Sequence, residues 1–144
     1  MITVKVNGEE RQYPQGATYE DVANDYQKEY DNLIALAARD GKIRELFKKL
    51  TRDCEITFFT LKDNVGNKTY VRSATMLFLK AVFDVYGREA AQNCRVEFAV
   101  GNGSYISPRG QIASTADNAA KIQDRMRELV AAKTPFLKRS YALD

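Results

Sequence analysis

Three side chains could share one stripe of the segment YVRSATMLFLKAVF, residues 70–83: Arg72, Met76 and Lys80. A spacing of four is about one helical turn, the geometry with which a helix offers two ligands or an acid–base pair to a single site. Successive residues step about 100° around the axis. With Arg72 at zero, Met76 falls near 40°, Lys80 near 80°, Ser73 near 100° and Asp84 near 120°, by the same step of about 100°. An arginine presents a planar fork of donors suited to phosphate or carboxylate, whereas a thioether offers polarisable apolar surface. The chemistry this stripe could do is therefore anion capture. Tyr105, in the run GNGSY at 101–105, is the further candidate, so Arg72, Ser73, Met76, Lys80 and Tyr105 form the expected ligand or interface groove. Three of them have a plainer reading: a salt bridge or domain contact for Arg72, core packing for Tyr105, space filling for Met76. An unpaired buried guanidinium is costly, so Arg72 is expected to reach solvent, hold an anion or pair with a carboxylate such as Asp84.

Other chemistry is excluded by composition. The 144 residues contain no histidine, which removes Ser-His-Asp, Cys-His and histidine-based zinc sites together. No GxxxxGK[ST] phosphate loop is present, and GNGSY lacks a lysine to reach phosphate, so it reads as a hairpin turn. The two cysteines, Cys54 and Cys94, have no local zinc-binding spacing and each precedes a strand-like run. They are expected to be buried thiols of a reducing cytoplasm. No catalytic residue, metal or cofactor is expected in this chain. No run reaches the length of about 18 apolar residues that spans a membrane, and no secretory segment opens the sequence. Charge is uneven: residues 1–62 carry ten Lys/Arg against eleven Asp/Glu, and residues 63–144 carry twelve against eight. The basic second half, with Arg88, Arg95 and Arg109 beside Arg72 and Lys80, permits a polyanionic partner; a mixed surface gives the same count.

The elements that must position these residues follow from local signals. ITVKVNGEERQYP alternates around Asn7-Gly8, a tight-turn pair, with Ile2, Val4 and Val6 on one face. Thr18 and Asp21 form a capping-box variant ahead of YEDVANDY, whose Val22 and Tyr26 share a face. LIALAARDG at 33–41 and CEITFFTL at 54–61 read as strands. Between them KIRELFKKL is ambiguous: Ile43, Leu46, Phe47 and Leu50 fit a helix, while emergence from the Asp40-Gly41 turn fits a short strand. A boundary falls at the Asp, Asn and Gly cluster of residues 62–67. Beyond it the periodicity predicts a helix over about 70–86, ended by Gly87 and buried on three sides. A hairpin follows with Val96, Phe98 and Val100 inward, and then a helix over about 116–132 with Ile122, Met126 and Leu129 as its seam.

The order strand, NG turn, strand, P-x-G-x-T, helix, Ala-rich strand, D/N-G turn and closing strand resembles a TGS domain, a ubiquitin-like β-grasp module, over residues 1–62. It favours the reading of KIRELFKKL as a short strand followed by an irregular turn. Residues 63–144 resemble the domain that follows TGS in threonyl-tRNA synthetases, whose first helix carries an H-[ST]-A-x-H pair of the editing site. Here the same positions read Arg72-Ser73-Ala74-Thr75-Met76. The GNGSY hairpin, the run from Lys121 to Met126 and Pro135-Phe136 continue the resemblance. With both histidines replaced, editing chemistry is not expected. The R-S-x-x-x-L-x-x-x-A-V pattern at Arg72-Ser73, Leu77 and Ala81-Val82 also resembles a bacterial protein that joins such a front region to a uridine kinase/phosphoribulokinase-type P-loop domain. That resemblance implies an α+β, non-catalytic regulatory fragment of a cytoplasmic nucleoside kinase. ATP and magnesium would belong to the absent kinase domain, which would also be a partner, and a homo-oligomer is compatible with it. The alternative is an RNA-binding front-end module related to threonyl-tRNA synthetase, or one holding a small anionic ligand.

Overall fold

A computed structural model of the chain describes residues 1–110 and 112–142. It is an α+β protein of two compact units, Met1–Arg72 and Ser73–Asp144. Strands β1 (Ile2–Val6) and β2 (Glu9–Tyr13) pair antiparallel, from Ile2 opposite Tyr13 to Val6 opposite Glu9. The turn between them needs positive φ at both central residues, which Asn7 (50°) and Gly8 (87°) supply. Helix α1 (Tyr19–Tyr26) starts at a capping box. The Thr18 hydroxyl accepts the Asp21 amide at 3.2 Å, and the Asp21 carboxylate accepts the Thr18 amide at 2.7 Å. Those Thr18 bonds hold the Asp21 carboxyl below its ordinary pKa. After a 3-10 turn at Gln27–Glu29 come β3 (Ile34–Arg39), β4 (Lys42–Arg44) and β5 (Cys54–Thr60). The sheet order is β2-β1-β5-β3-β4, with β1 and β5 parallel and every other pair antiparallel.

The ambiguous KIRELFKKL segment is a strand only over Lys42–Arg44 and irregular afterwards. Its carbonyls are used elsewhere, which explains the lost helix. Leu46 O accepts the Glu20 amide at 2.8 Å and Lys48 O accepts the Tyr19 amide at 3.0 Å. These are first-turn donors of α1 that have no partner inside their own helix. Leu50 is buried and its amide donates to Ala17 O at 2.7 Å, while Ile43 and Phe47 remain exposed. The core of this unit joins Ile2, Val4 and Val6 to Tyr19, Val22 and Tyr26 of α1 and to Ile56 and Phe58 of β5.

Helix α2 (Asn64–Asn93) begins in the first unit, earlier than the expected residue 70, and continues into the second. Gly66 is buried near its start, where an added Cβ would lie 2.0 Å from the Thr60 carbonyl oxygen. The helix breaks at Gly87, with φ 87° and ψ 178°, and a further helical stretch carries Ala90 into the core. Hairpin β6 (Arg95–Val100) and β7 (Gly103–Ser107) follows, and then α3 (Ala116–Ala131), capped by the Thr115 hydroxyl accepting the Asn118 amide at 3.2 Å.

Two expectations need correction. α2 is not buried on three sides: its burial centres on Ala81, Val82 and Ala90, with Phe78, Leu79 and Tyr86 partly covered, while Tyr70, Val71, Met76 and Phe83 are exposed. Phe98 and Val100 do not point inward; each is 60% exposed, and Val96 is only half-buried. The register shifts between Val96 and Ala99, and such an irregularity disrupts the simple alternation on which the inward assignment rested. The α3 seam holds, with Leu129 buried and Ile122 and Met126 half-buried.

Candidate functional site

The stripe on α2 carries charge, and most of that charge is already partnered. Lys80 forms an ion pair with Asp84 one turn later, and its ammonium lies 5.4 Å from the centre of the Phe83 ring. Arg125 of α3 reaches the same carboxylate, through Nε at 3.0 Å and Nη2 at 2.9 Å, and pairs through Nη1 with Glu128 at 2.7 Å. The Lys80 hydrogen bond, reinforced by Arg125, holds the Asp84 carboxyl below its usual range. Glu128 and then Asp84 raise the Arg125 guanidinium in turn. One carboxylate thereby ties α2 to α3.

Arg72 takes none of that carboxylate. It is exposed and donates to the Thr69 hydroxyl at 3.4 Å. Among the outcomes open to it, the structure gives exposure to solvent; Asp84 lies twelve residues further along the same helix, about 18 Å away at about 1.5 Å per residue, and is out of its reach. Ser73 is half-buried and Met76 is 61% exposed. Tyr105 is 52% exposed and stacks on Phe98, with ring centres 5.1 Å apart and planes at 16°, so it does not serve as core packing. Arg109 lies 3.7 Å from Glu97, while Arg88 and Arg95 are exposed. The structure thus brings Lys80 to Asp84 and Tyr105 to Phe98.

Sequence reasoning missed Arg125 and Asn118. The Tyr86 hydroxyl donates to Asn118 Oδ1 at 2.8 Å, and Asn118 Nδ2 donates to the Ala113 carbonyl at 2.9 Å. A signal for Arg125 was present: it lies between Ile122 and Met126 of the apolar seam, so its charge had to find a partner close to α2. Nothing comparable marked Asn118. Cys94 is buried and Cys54 half-buried, and burial raises both thiols above their ordinary pKa. Among the described residues no helix is long and apolar enough to cross a membrane.

No family model matches the chain. It is similar to threonine–tRNA ligases of several bacteria. The one from Rhizobium etli (strain CIAT 652) is 28% identical over 137 residues, covering 94% of this chain and 20% of the ligase. The ligase of Hyphomonas neptunium is 27% identical over 139 residues, covering 96% of this chain and 21% of its own length. That of Thermotoga petrophila is 26% identical over 144 residues, with 94% and 21% covered. The chain spans about a fifth of the length of these curated relatives. The likeness is to threonyl-tRNA synthetases, and the nucleoside-kinase parent expected from the sequence gains no support from it.

Proposed function

We propose that the chain is a non-catalytic module related to the front region of threonyl-tRNA synthetases, and that it contacts RNA. On this reading residues 1–62 are a TGS-type β-grasp domain and the remainder is the scaffold of the editing-type domain, working in the cytoplasm. The observation that supports it is a likeness running through 94% of the chain while covering only 20% of the Rhizobium etli ligase. The five-stranded mixed sheet with α1 suits the first assignment, and the long helix, hairpin and α3 suit the second.

Chemistry argues against catalysis at the stripe. A thioether at Met76 and a guanidinium at Arg72 neither hold zinc as histidines do nor exchange a proton near neutral pH. What remains is positive charge without base-specific geometry, which suits phosphate contact. The test is fluorescence anisotropy with labelled bulk tRNA, at salt between about 50 and 200 mM. Binding that weakens with salt, and weakens further in Arg88→Glu with Arg95→Glu, is expected. No binding at the low-salt end, or binding indifferent to both substitutions, would overturn the RNA reading.

A further inference from the structure

The second unit contains an open-sided cavity of about 800 Å³, with Ala113 to Ala116, Ala119, Ala120 and Gln123 exposed along its rim, that none of the groove residues lines. Its walls include Phe78 of α2, Cys94, Ile106 of β7, Ile112, and Ile122 and Met126 of α3. That volume lies within the range of roughly 300–1,000 Å³ typical of small-molecule sites.

The lining contains no charged side chain among the described residues, in a chain where 28% of residues are charged. The charges of α3 are engaged with one another or with α2. Lys121 pairs with Asp117 at 2.8 Å, Arg127 with Asp124 at 3.3 Å, and Arg125 with Asp84 and Glu128. Most polar groups in the wall are spent as well. Asn118 accepts from Tyr86, donates to the Ala113 carbonyl, and gives its amide to Thr115. These bonds brace the 113–118 turn against α2, which pre-forms one wall. Ser114 and Gln123, which also line the cavity, and the donor hydrogen of the Thr115 hydroxyl are the polar groups left for a ligand.

We infer that this cavity is a binding site for an uncharged, mainly apolar small molecule with one hydrogen-bonding end, placed toward Ser114 and Gln123. A charged ligand would lose part of its hydration against the apolar wall with no opposite charge to replace it. An apolar one exchanges water for Phe78, Ile112 and Ile122 with no charge to desolvate, which leaves only the entropy of association to offset. The site is separate from the Arg72–Lys80 stripe, and the inference does not rest on the RNA reading.

The probe is N-phenyl-1-naphthylamine, an uncharged aromatic that fluoresces when removed from water, titrated into the whole 144-residue chain. Saturable binding at one site per chain is expected. Ala119→Phe fills the cavity from an exposed position of α3 and should weaken binding at least tenfold, with the helical circular dichroism unchanged. Bound probe should also slow alkylation of Cys94 by N-ethylmaleimide severalfold while leaving Cys54 unaffected. This readout uses the unmodified chain and so survives a misfolded variant. Non-saturating binding overturns the inference. So does binding that withstands Ala119→Phe but is lost in Phe98→Ala with Tyr105→Ala, which would place the probe on the hairpin, and so does unprotected Cys94.

Discussion

The two units solve the same problem with unequal means. In the first, a five-stranded sheet and one capped helix bury Ile2, Tyr19, Val22, Tyr26 and Ile56 around a single centre. In the second, a two-stranded hairpin leaves its aromatics in water, and the core reduces to Val82, Ala90, Cys94 and Ile112 with partly covered neighbours. A hairpin alone is marginal in water, so ion pairs and the Tyr86–Asn118 brace carry a larger share of the organisation there. The lesson is that apolar burial is concentrated in the first unit, whereas the second adds specific polar contacts to a thinner apolar core and leaves more of its aromatics exposed.

The sharpest way to break this contrast is to empty each core. Ile56→Ala should cost about 2–5 kcal/mol, seen in urea unfolding, with hydrogen exchange rising in peptides of residues 1–72. Val82→Ala should cost less, roughly 1.5 kcal/mol from the apolar groups removed. Equal losses would show that the second core is as consequential as the first. Gly66→Ala should cost about 1–3 kcal/mol, because its new methyl group meets the backbone of Thr60 and overpacking must be relieved by movement. A neutral result would show that the start of α2 is free to shift. The smallest effect belongs to the polar side. Asp84→Asn should lower the melting temperature by about 2–5 °C near neutral pH. Because the folded Asp84 pKa is depressed, this contribution is complete above the ordinary carboxylate value of about 3.9. It disappears as pH falls through the lower folded value, so wild type and variant should converge under strong acid. A constant difference down to low pH would remove the ion pairs from the account.

Legibility in the sequence followed the same division. Wherever a local rule decided the structure, the residues announced it: the Asn7-Gly8 turn, the Thr18–Asp21 cap, the alternation of Ile2, Val4 and Val6, and the break at Gly87. KIRELFKKL showed a competition that periodicity could not judge, since the hydrogen bonds that settled it come from α1. Phe98 and Val100 were misplaced because a register shift is invisible in a pattern of apolar letters. At the site, the stripe geometry was readable from helical steps, but the ownership of Asp84 was not. That required knowing which face of α3 meets α2. Glycine at 66 looked like part of a boundary turn, yet it is selected by the volume available beside Thr60.

Asp84 has a consequence beyond holding two helices together. A protein-borne carboxylate between Lys80 and Arg125 acts as a fixed counterion, whereas Arg88 and Arg95 are exposed to solution. Cations already engaged by a carboxylate neutralise fewer phosphates of a polyanion and so displace fewer of its condensed cations, which means they would add little to the salt dependence of its binding. The positive charge that this chain shows to solution is therefore smaller, and differently placed, than its count of lysines and arginines implies.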